Sequence, residues 1–277
     1  MPRAGRLVRG AGLARAFGAV AFLGVWAALA AFWEIAVARG WLNGRVLPPP
    51  SVLGAYVLAG NMSAGIGYGK VSYGQAILDT LGRVMAGFVI GLLGALVTAM
   101  LIWAFRPVRA VAMPLMQTIA PIAPVAWIPL AISLVGLGSG AAILVVVLAI
   151  LGGVCASAVA AFDAIPGEYV KAGRLLGARG LRLWLRVVLP AAAPALVTLA
   201  RMSFFGAWMA VLAGEMAGIS SGLGALIMLG QQQFNMRLVM IGIVTIGALG
   251  FLIDRALLRL GRSLVWWEHR SARQVAR

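Results

Sequence analysis

The feature that most limits the fold of this chain is a series of long apolar runs separated by charged or turn-forming residues. Runs of about 20 residues match the length that an α-helix needs to cross a hydrocarbon core of about 30 Å. The mean hydropathy of +1.00 over 277 residues exceeds what a water-soluble domain of this length can bury. We therefore predict an all-α, polytopic membrane protein. The predicted spans are residues 16–38, 80–104, 111–134, 141–162, 187–213 and 238–260.

The net charge of +16 is arranged in a way that orients these spans. Basic residues precede the first span, separate the second from the third, fill the connection between the fourth and fifth, and follow the last. Short loops rich in Lys and Arg stay in the cytoplasm. We therefore expect a multi-pass protein of the bacterial inner membrane. Its basic ends, residues 1–15 and 261–277, are both predicted to be cytoplasmic and near anionic lipid.

The same charges exclude some partners and chemistries. The arginines form no stripe with interleaved aromatic residues, as a nucleic-acid surface would, so no nucleic acid is expected. Cys155 and His269 are the only residues of their types, which leaves no disulfide and no cysteine metal site. The stretch 69–72 fails as a phosphate loop, because Val71 follows its lysine. We predict no catalytic residue, no metal and no cofactor bound by this chain, and therefore not an enzyme.

Prolines interrupt two regions. The Leu-Pro-Pro-Pro-Ser sequence at 47–51 predicts a non-helical loop, with the glycine-rich stretch 65–69 and a short amphipathic helix leading into Thr80 after it. The third span contains four prolines, each of which frees a carbonyl at membrane depth. Such a break is either a kinked packing helix or a wall of a transport path. The four prolines are Pro114, Pro121, Pro124 and Pro129.

The connection between the fourth and fifth spans predicts a short exposed helix. Pro166 suits its first turn, Glu168 suits its positive amino end, and Gly177 or Gly180 suits its exit. Small residues at Ala172, Gly173 and Gly177 would let a partner approach closely, while Leu175 and Leu176 offer apolar anchors. Docking on another protein is one interpretation of this pattern. A basic loop on lipid headgroups is the other.

The same connection resembles the EAA loop of permeases of binding-protein-dependent ABC importers. That pattern places Glu-Ala-Ala, a Gly, an apolar residue and Leu-Pro at fixed spacings. Here Lys171-Ala172-Gly173, Gly177, Val187 and Leu189-Pro190 stand at those positions, so Lys171 replaces the usual glutamate and Glu168 lies one turn earlier. Four other stretches resemble the sulfonate, taurine and nitrate branch, and the likeness runs from about Trp33 to Trp267. They are residues 47–51, 120–130, 214–216 and 220–224.

The resemblance implies a type I ABC importer permease fold, with a permease domain over residues 16–260 and a coupling helix at about 166–180. It implies two copies of a cytoplasmic ATPase, which bind ATP and Mg, a second copy of this permease, and a periplasmic substrate-binding protein. The solute would be a small anion of the sulfonate, taurine or nitrate class, moved by alternating access. Bicarbonate and thiamine-precursor-like or aromatic solutes also stay open, because related permeases serve each. The implied ATPase-coupling residues are Glu168, Lys171, Ala172, Gly173, Arg174, Leu175, Leu176, Gly177, Ala178, Leu189 and Pro190.

Four residues are candidates for the transport path: Gln117, Trp127, Arg201 and Glu215. Arg201 lies near the middle of the fifth span and Glu215 is predicted just beyond its outer end, about 21 Å away and too far to pair within one helix. Because an arginine in hydrocarbon needs a polar environment, Arg201 either adds positive potential to the path of an anion or pairs with helix carbonyls or an inter-helix carboxylate.

Two other functions stay open at this point. An ATP-independent channel or ion-coupled carrier would be expected to have acids inside its spans, whereas Glu34, Asp79 and Asp254 lie near predicted span ends. A structural adaptor of the membrane is the second alternative.

Overall fold

The computed structural model describes residues 4–58, 64–66, 69–219 and 221–265. Ser220, His269 and the tail beyond residue 265 lie outside the described residues. The all-α class is confirmed. Within the described ranges, the regular structure that is not helical is one pair of antiparallel strands, β1 (Ala64–Ile66) and β2 (Gly69–Val71). The helices are α1 (Ala4–Ala38), α2 (Pro50–Leu58), α3 (Tyr73–Ala104), α4 (Arg106–Ile119), α5 (Ile128–Val135), α6 (Ser139–Asp163), α7 (Gly167–Leu175), α8 (Gly180–Leu183), α9 (Leu189–Met216), α10 (Leu223–Gln232) and α11 (Met236–Leu264).

Five stretches of the described residues are long and apolar enough to cross a membrane, and a bent pair of helices can form a sixth span. The five are Val20–Ala38, Tyr73–Ala104, Ser139–Asp163, Gly180–Met216 and Met236–Leu264. Four predicted spans lie within these helices with shorter bounds. The predicted separate helix before Thr80 is wrong, because α3 is continuous from Tyr73 and its first two turns supply that segment.

One compact unit comprises the described part of residues 1–63 with Gly230–Ile241. In it, Glu34 of α1 accepts hydrogen bonds from the backbone N–H of Ser51 (3.2 Å) and from its hydroxyl (2.6 Å). The backbone N–H of Ser51, one of the free donors at the amino end of α2, is thereby paired. Pro50, the first residue of the helix, has no backbone N–H that needs a partner. The prediction of a loop at 47–51 is therefore wrong at its end, since α2 begins at Pro50. Asn235 caps α11 by accepting from the Leu238 N–H (3.3 Å).

The second unit holds the apolar core, in which α6 packs against α3, α4, α5 and α9. Close approach of α3 to α6 depends on glycine. A Cβ at Gly87 would lie 2.7 Å from Val146 Cβ, and one at Gly91 would lie 2.8 Å from Ile150 Cδ1. Phe88 meets Phe204 of α9 edge to face, with ring centroids 5.4 Å apart.

The third predicted span, 111–134, is not one straight helix. It consists of α4 and of a 3₁₀ turn at Pro124–Trp127 that continues into α5, and the two parts are bent by 106°. Proline lacks the N–H that an α-helix uses at each position, so Pro121 and Pro124 prevent the helical ladder from continuing after Ile119. Pro114, in contrast, lies inside α4. The structure therefore shows a sharp break where the sequence predicts either a kink or a path wall.

The end of α4 is held against α6 at a single glycine. A Cβ at Gly152 would lie 2.8 Å from both the Ala120 backbone N and the Met116 carbonyl O, which are backbone atoms and cannot rotate away. We predict that Gly152→Ala lowers stability by about 1–3 kcal/mol, because α4 must move off α6. The measurement is thermal unfolding of the purified chain in detergent.

Gly153→Ala is the matched control, since a Cβ there meets nothing within 4 Å. Both substitutions gain about the same helix propensity, roughly 1 kcal/mol, so the difference between them isolates the steric contact. Equal melting temperatures for the two variants would contradict this account of the break.

Candidate functional site

The exposed connection between α6 and α9 carries the first candidate site. Its helix α7 begins after Pro166, whose carbonyl accepts from the Tyr169 N–H (3.0 Å). It ends where Gly177 takes φ +81, with the Gly177 N–H donating to the Arg174 carbonyl (3.0 Å). A positive φ favours glycine, which explains the exit at this residue. The helix is thus shorter than the predicted segment 166–180, and Gly180 instead begins α8.

The outer side of α7 presents an apolar pair. Leu175 and Leu176 are each 88% exposed and Tyr169 is 56% exposed. Lys171 and Arg174 lie beside them and are also exposed. Adjacent exposed leucines with polar and basic side chains around them form the kind of apolar patch that marks an interaction site. This surface has the composition of a protein-binding knob.

The inner side of α7 rests on its own chain. Gly173 is buried, and a Cβ there would lie 2.9 Å from Leu183 Cδ1 of α8 and 2.9 Å from Val187 Cγ2. Val187 belongs to a π-helical turn at Trp184–Val188 that leads into α9. The sequence predicts that Gly173 lets a partner approach closely, and that role stays a prediction. In the structure, Gly173 lets α7 pack on the segment that follows it.

The other predicted coupling residues lie in two places. Exposed or half-buried positions on or directly after α7 are Glu168, Lys171, Ala172, Arg174, Leu175, Leu176, Gly177 and Ala178. Leu189 and Pro190 instead begin α9 and follow the π turn. There the Leu189 N–H reaches back five residues to the Trp184 carbonyl, and Pro190 has no N–H to donate.

Two contacts fix the base of this connection to the membrane helices. Trp103 of α3, Phe162 of α6 and Trp184 form an edge-to-face row, with successive centroids 6.2 and 5.9 Å apart. Arg109 of α4 binds Asp163, the last residue of α6, through two hydrogen bonds of 2.9 and 2.7 Å. These contacts connect the base of α7 to α3, α4 and α6.

A buried charged network at the opposite end of the same helices is the second feature. Glu215 is 1% exposed and accepts from Arg83 Nη1 at 2.8 Å. It also accepts from the Thr80 hydroxyl (2.9 Å) and from the Gly224 N–H (3.0 Å). The carboxylate therefore lies between α3, α9 and the amino end of α10. The prediction that Glu215 lies just beyond the fifth span is wrong, because α9 continues through Met216 and buries it.

The remaining donors of Arg83 bind the loop before α10 and the start of α6. Nε donates to the Ser139 hydroxyl (3.0 Å), Nη1 to the Ser221 carbonyl (2.7 Å), and Nη2 to the Ser221 hydroxyl. The loop can close over the Glu215 carboxylate because Gly222 has no side chain. Its φ is +108, and a Cβ at this position would overlap the carboxylate. The stretches 214–216 and 220–224, which carry part of the resemblance, are thus joined in space as far as they are described.

Sequence reasoning missed Arg83. The signal was available, because Arg83 lies about three turns into α3, near its amino end, while Glu215 occupies the last turn of α9. In antiparallel helices those positions lie at the same end. An arginine and a glutamate at matching depth in lipid are expected to pair, since neither is stable there alone.

The candidates for a transport path are not brought together. Gln117 is exposed on α4, and Trp127 is half-buried in the 3₁₀ turn at the break. Arg201 binds Asp254 of α11 through Nε (2.6 Å) and Nη2 (3.0 Å). Of the environments predicted for Arg201, the structure therefore shows the carboxylate of another helix. Asp254 also lies ten residues before the end of α11, so the expectation that it lies near a span end is wrong. A path role for these residues stays a prediction.

The chain matches the model of a family described as "Binding-protein-dependent transport system inner membrane component" over residues 87–265. A probable ABC transporter permease protein of Brucella abortus is 32% identical over 198 residues, which are 70% of this chain and 78% of that protein. The taurine transport system permease protein TauC of Escherichia coli is 26% identical over 88% of each chain. The bicarbonate transport system permease protein CmpB of Synechococcus elongatus is 31% identical over 64% of each.

The fold has a solved counterpart. A chain of the methionine ABC transporter MetNI, in an inward-facing conformation, superposes with a TM-score of 0.59 at 23% identity, over 69% of this chain and 94% of that one. At that identity the likeness shows the fold. The resemblance to ABC importer permeases inferred from the sequence is confirmed by these matches.

The buried network gives a direct stability test. We predict that Glu215→Gln lowers stability by about 3–5 kcal/mol, because Arg83 would be left as a buried charge without a counter-charge. Replacement of both partners by apolar residues, Arg83→Met with Glu215→Leu, is expected to cost less than the single change. Thermal unfolding in detergent measures both.

Asp79→Asn is the control for removal of a carboxylate from the same end. Asp79 accepts a single bond from Gln75 (2.9 Å) on an exposed side of α3, so its removal should cost under about 1 kcal/mol. A Glu215→Gln variant as stable as Asp79→Asn would show that the network does not hold this end together.

Proposed function

We propose, since this chain belongs to the family of binding-protein-dependent transport system inner membrane components, that it forms the membrane path of an importer for a small anionic solute. The chain is the permease subunit of an ABC importer, and as a transport subunit it leaves ATP hydrolysis to a separate ATPase. Family membership also implies a substrate-binding protein as a partner. The two alternatives, an ATP-independent channel or ion-coupled carrier and a structural adaptor, are therefore set aside.

The observation that supports coupling through α7 is its apolar pair. Leu175 and Leu176 are 88% exposed on a helix whose base is tied to α3, α4 and α6. We place the ATPase on this surface, with α7 seated in a groove of that subunit. Lys171 and Arg174 give the knob a positive rim, which favours acidic residues around the partner's groove. This orientation puts α7 and both chain termini in the cytoplasm.

The assembly proposed is a homodimer of this permease with two ATPase copies, each holding ATP and Mg. A cleft of about 510 Å³ at the broken span supports a path at that break. It is lined by Val125, Ile128, Pro129 and Ile132 together with Ala217 directly after α9. Backbone freed by prolines at membrane depth is tolerated beside such a cavity. Two copies facing each other across this surface would enclose a path between them.

The solute class rests on the relatives. Taurine carries a sulfonate and bicarbonate is an anion, so the two named transport systems handle small anionic groups. The cleft at the break is lined by apolar side chains among the described residues, which leaves most of the selection to the binding protein. A binding protein that delivers its solute and an ATPase that closes on ATP would bias a two-state equilibrium between outward-facing and inward-facing forms.

An uptake assay tests the proposal. The permease, its ATPase and its binding protein are reconstituted in vesicles, and uptake of taurine, an alkanesulfonate, nitrate and bicarbonate is compared with that of a neutral sugar. Taurine is a zwitterion whose sulfonate group is anionic, and the other three solutes are anions. We predict ATP-dependent uptake of at least one of these four solutes and none of the sugar. Leu175→Ser with Leu176→Ser should reduce both uptake and retention of the ATPase by about tenfold or more, since two exposed apolar anchors are lost.

Leu137→Ser is the matched control for ATPase retention, because Leu137 is 72% exposed just before α6, at the end away from α7. It should leave ATPase retention unchanged. Full coupling in the double serine variant would refute docking at α7. Uptake of the sugar alone would refute the anionic solute.

A further inference from the structure

A cleft between α9 and the last turns of α11 has no role in the function proposed above. It encloses about 150 Å³. Its walls are largely apolar, with Val197 on one side and Leu257, Leu258 and Val265 on the other, and two arginines, Arg201 and Arg262, also line it. The helices touch beside it, since a Cβ at Gly261 would lie 2.6 Å from Val197 Cγ1. The two helices are therefore closely packed beside the cleft.

Arg262 leaves one positive charge unmatched in this cleft, and Arg201, whose charge is paired with Asp254, keeps a free N–H donor. Asp254 engages Nε and Nη2 of Arg201, and Nη1 has no hydrogen-bond partner among the described residues. Arg262 is exposed near the end of α11 and makes no ion pair or hydrogen bond within the described part of the chain. Among the residues that line the cleft there is no acid. An occupant with a negative charge would thus meet one free guanidinium and the open edge of a second.

The surroundings select the kind of anion. Both α9 and α11 are long, apolar helices of membrane-spanning length, so the cleft opens between elements that contact lipid. Apolar walls beside a guanidinium suit a molecule with a phosphate and hydrocarbon, whereas a free hydrated anion gains nothing from leucine and valine. A cavity of about 150 Å³ in another protein holds a benzene molecule, and a phosphate group has fewer heavy atoms than benzene.

We propose that this cleft binds the phosphate of an anionic phospholipid, with Arg262 and Nη1 of Arg201 as donors and the apolar walls against the glycerol and upper acyl chain. Basic pockets between membrane helices are suited to such headgroups. The lipid occupies the groove between α9, which follows the α7 connection, and α11. It therefore braces the helix pair that carries the Arg201–Asp254 bridge.

The same helix offers a matched control. Arg259 is exposed on α11, one turn before Arg262, and does not line the cleft. Both arginines attract an anionic membrane surface through long-range charge. Only Arg262 is placed to donate hydrogen bonds to a phosphate in the cleft. The comparison of Arg262→Gln with Arg259→Gln therefore separates a bound lipid from diffuse attraction.

The experiment uses the full chain, purified in detergent with the subunits that copurify with it. Phosphatidylglycerol or phosphatidylcholine is added, thermal unfolding is recorded, and retained lipid is counted by native mass spectrometry. We expect phosphatidylglycerol to raise the melting temperature and to stay bound where phosphatidylcholine does not. Arg262→Gln should weaken phosphatidylglycerol binding by about tenfold, and Arg259→Gln by less than about threefold.

Several results would overturn the proposal. Equal losses in the two variants would reduce the effect to diffuse charge. Equal stabilisation by phosphatidylcholine would remove the role of the anionic headgroup. The same melting shift from inorganic phosphate alone would identify a free-anion site, and a chain that retains no lipid and gains no stability would show that the cleft has no lipid occupant.

Discussion

The buried ion pair between Arg83 and Glu215 is the interaction on which the rest of this structure depends. In lipid no water can satisfy a polar group, so a charge at this depth is tolerated only if every donor and acceptor around it has a partner. The network supplies such partners through Thr80, Ser139 and Ser221 and through two backbone N–H groups at the start of α10. It joins four helices at one end: α3, α6, α9 and α10.

The opposite end of α3, α6 and α9 is held differently. There, aromatic contacts around Phe162 and the exposed Arg109–Asp163 pair connect the α7 segment to the membrane helices. An ion pair whose side chains are 44% and 40% exposed contributes little to stability and exchanges readily with water. One end is thus fixed by a buried ion pair with its hydrogen bonds, and the other by aromatic packing and an exposed ion pair. The ATPase contact proposed for α7 lies at the second of these ends, where the ion pair is exposed.

Much of this could be predicted from sequence. Hydropathy located the spans because a helix in lipid must be apolar over a fixed length, and the glycine and Leu-Pro spacing of the connection led to the family. Long-range partners were harder to predict. The Arg201–Asp254 and Arg83–Glu215 pairs depend on which helices lie side by side, and neither pairing follows from spacing along one helix. Gly173 was assigned to a partner surface because burial against Leu183 and Val187 cannot be read from a single chain segment.

The central claim, that α7 carries the contact with the ATPase, is tested most directly by site-specific cross-linking. Cys155 is buried and is the only cysteine in the sequence, so a Cys155→Ser background permits a single reporter thiol. With Leu176→Cys on that background, a short thiol-reactive cross-linker should join the chain to its ATPase subunit in membranes. Leu137→Cys, at the other end of α6, should give no such product. A cross-link from position 137 and none from position 176 would contradict the account.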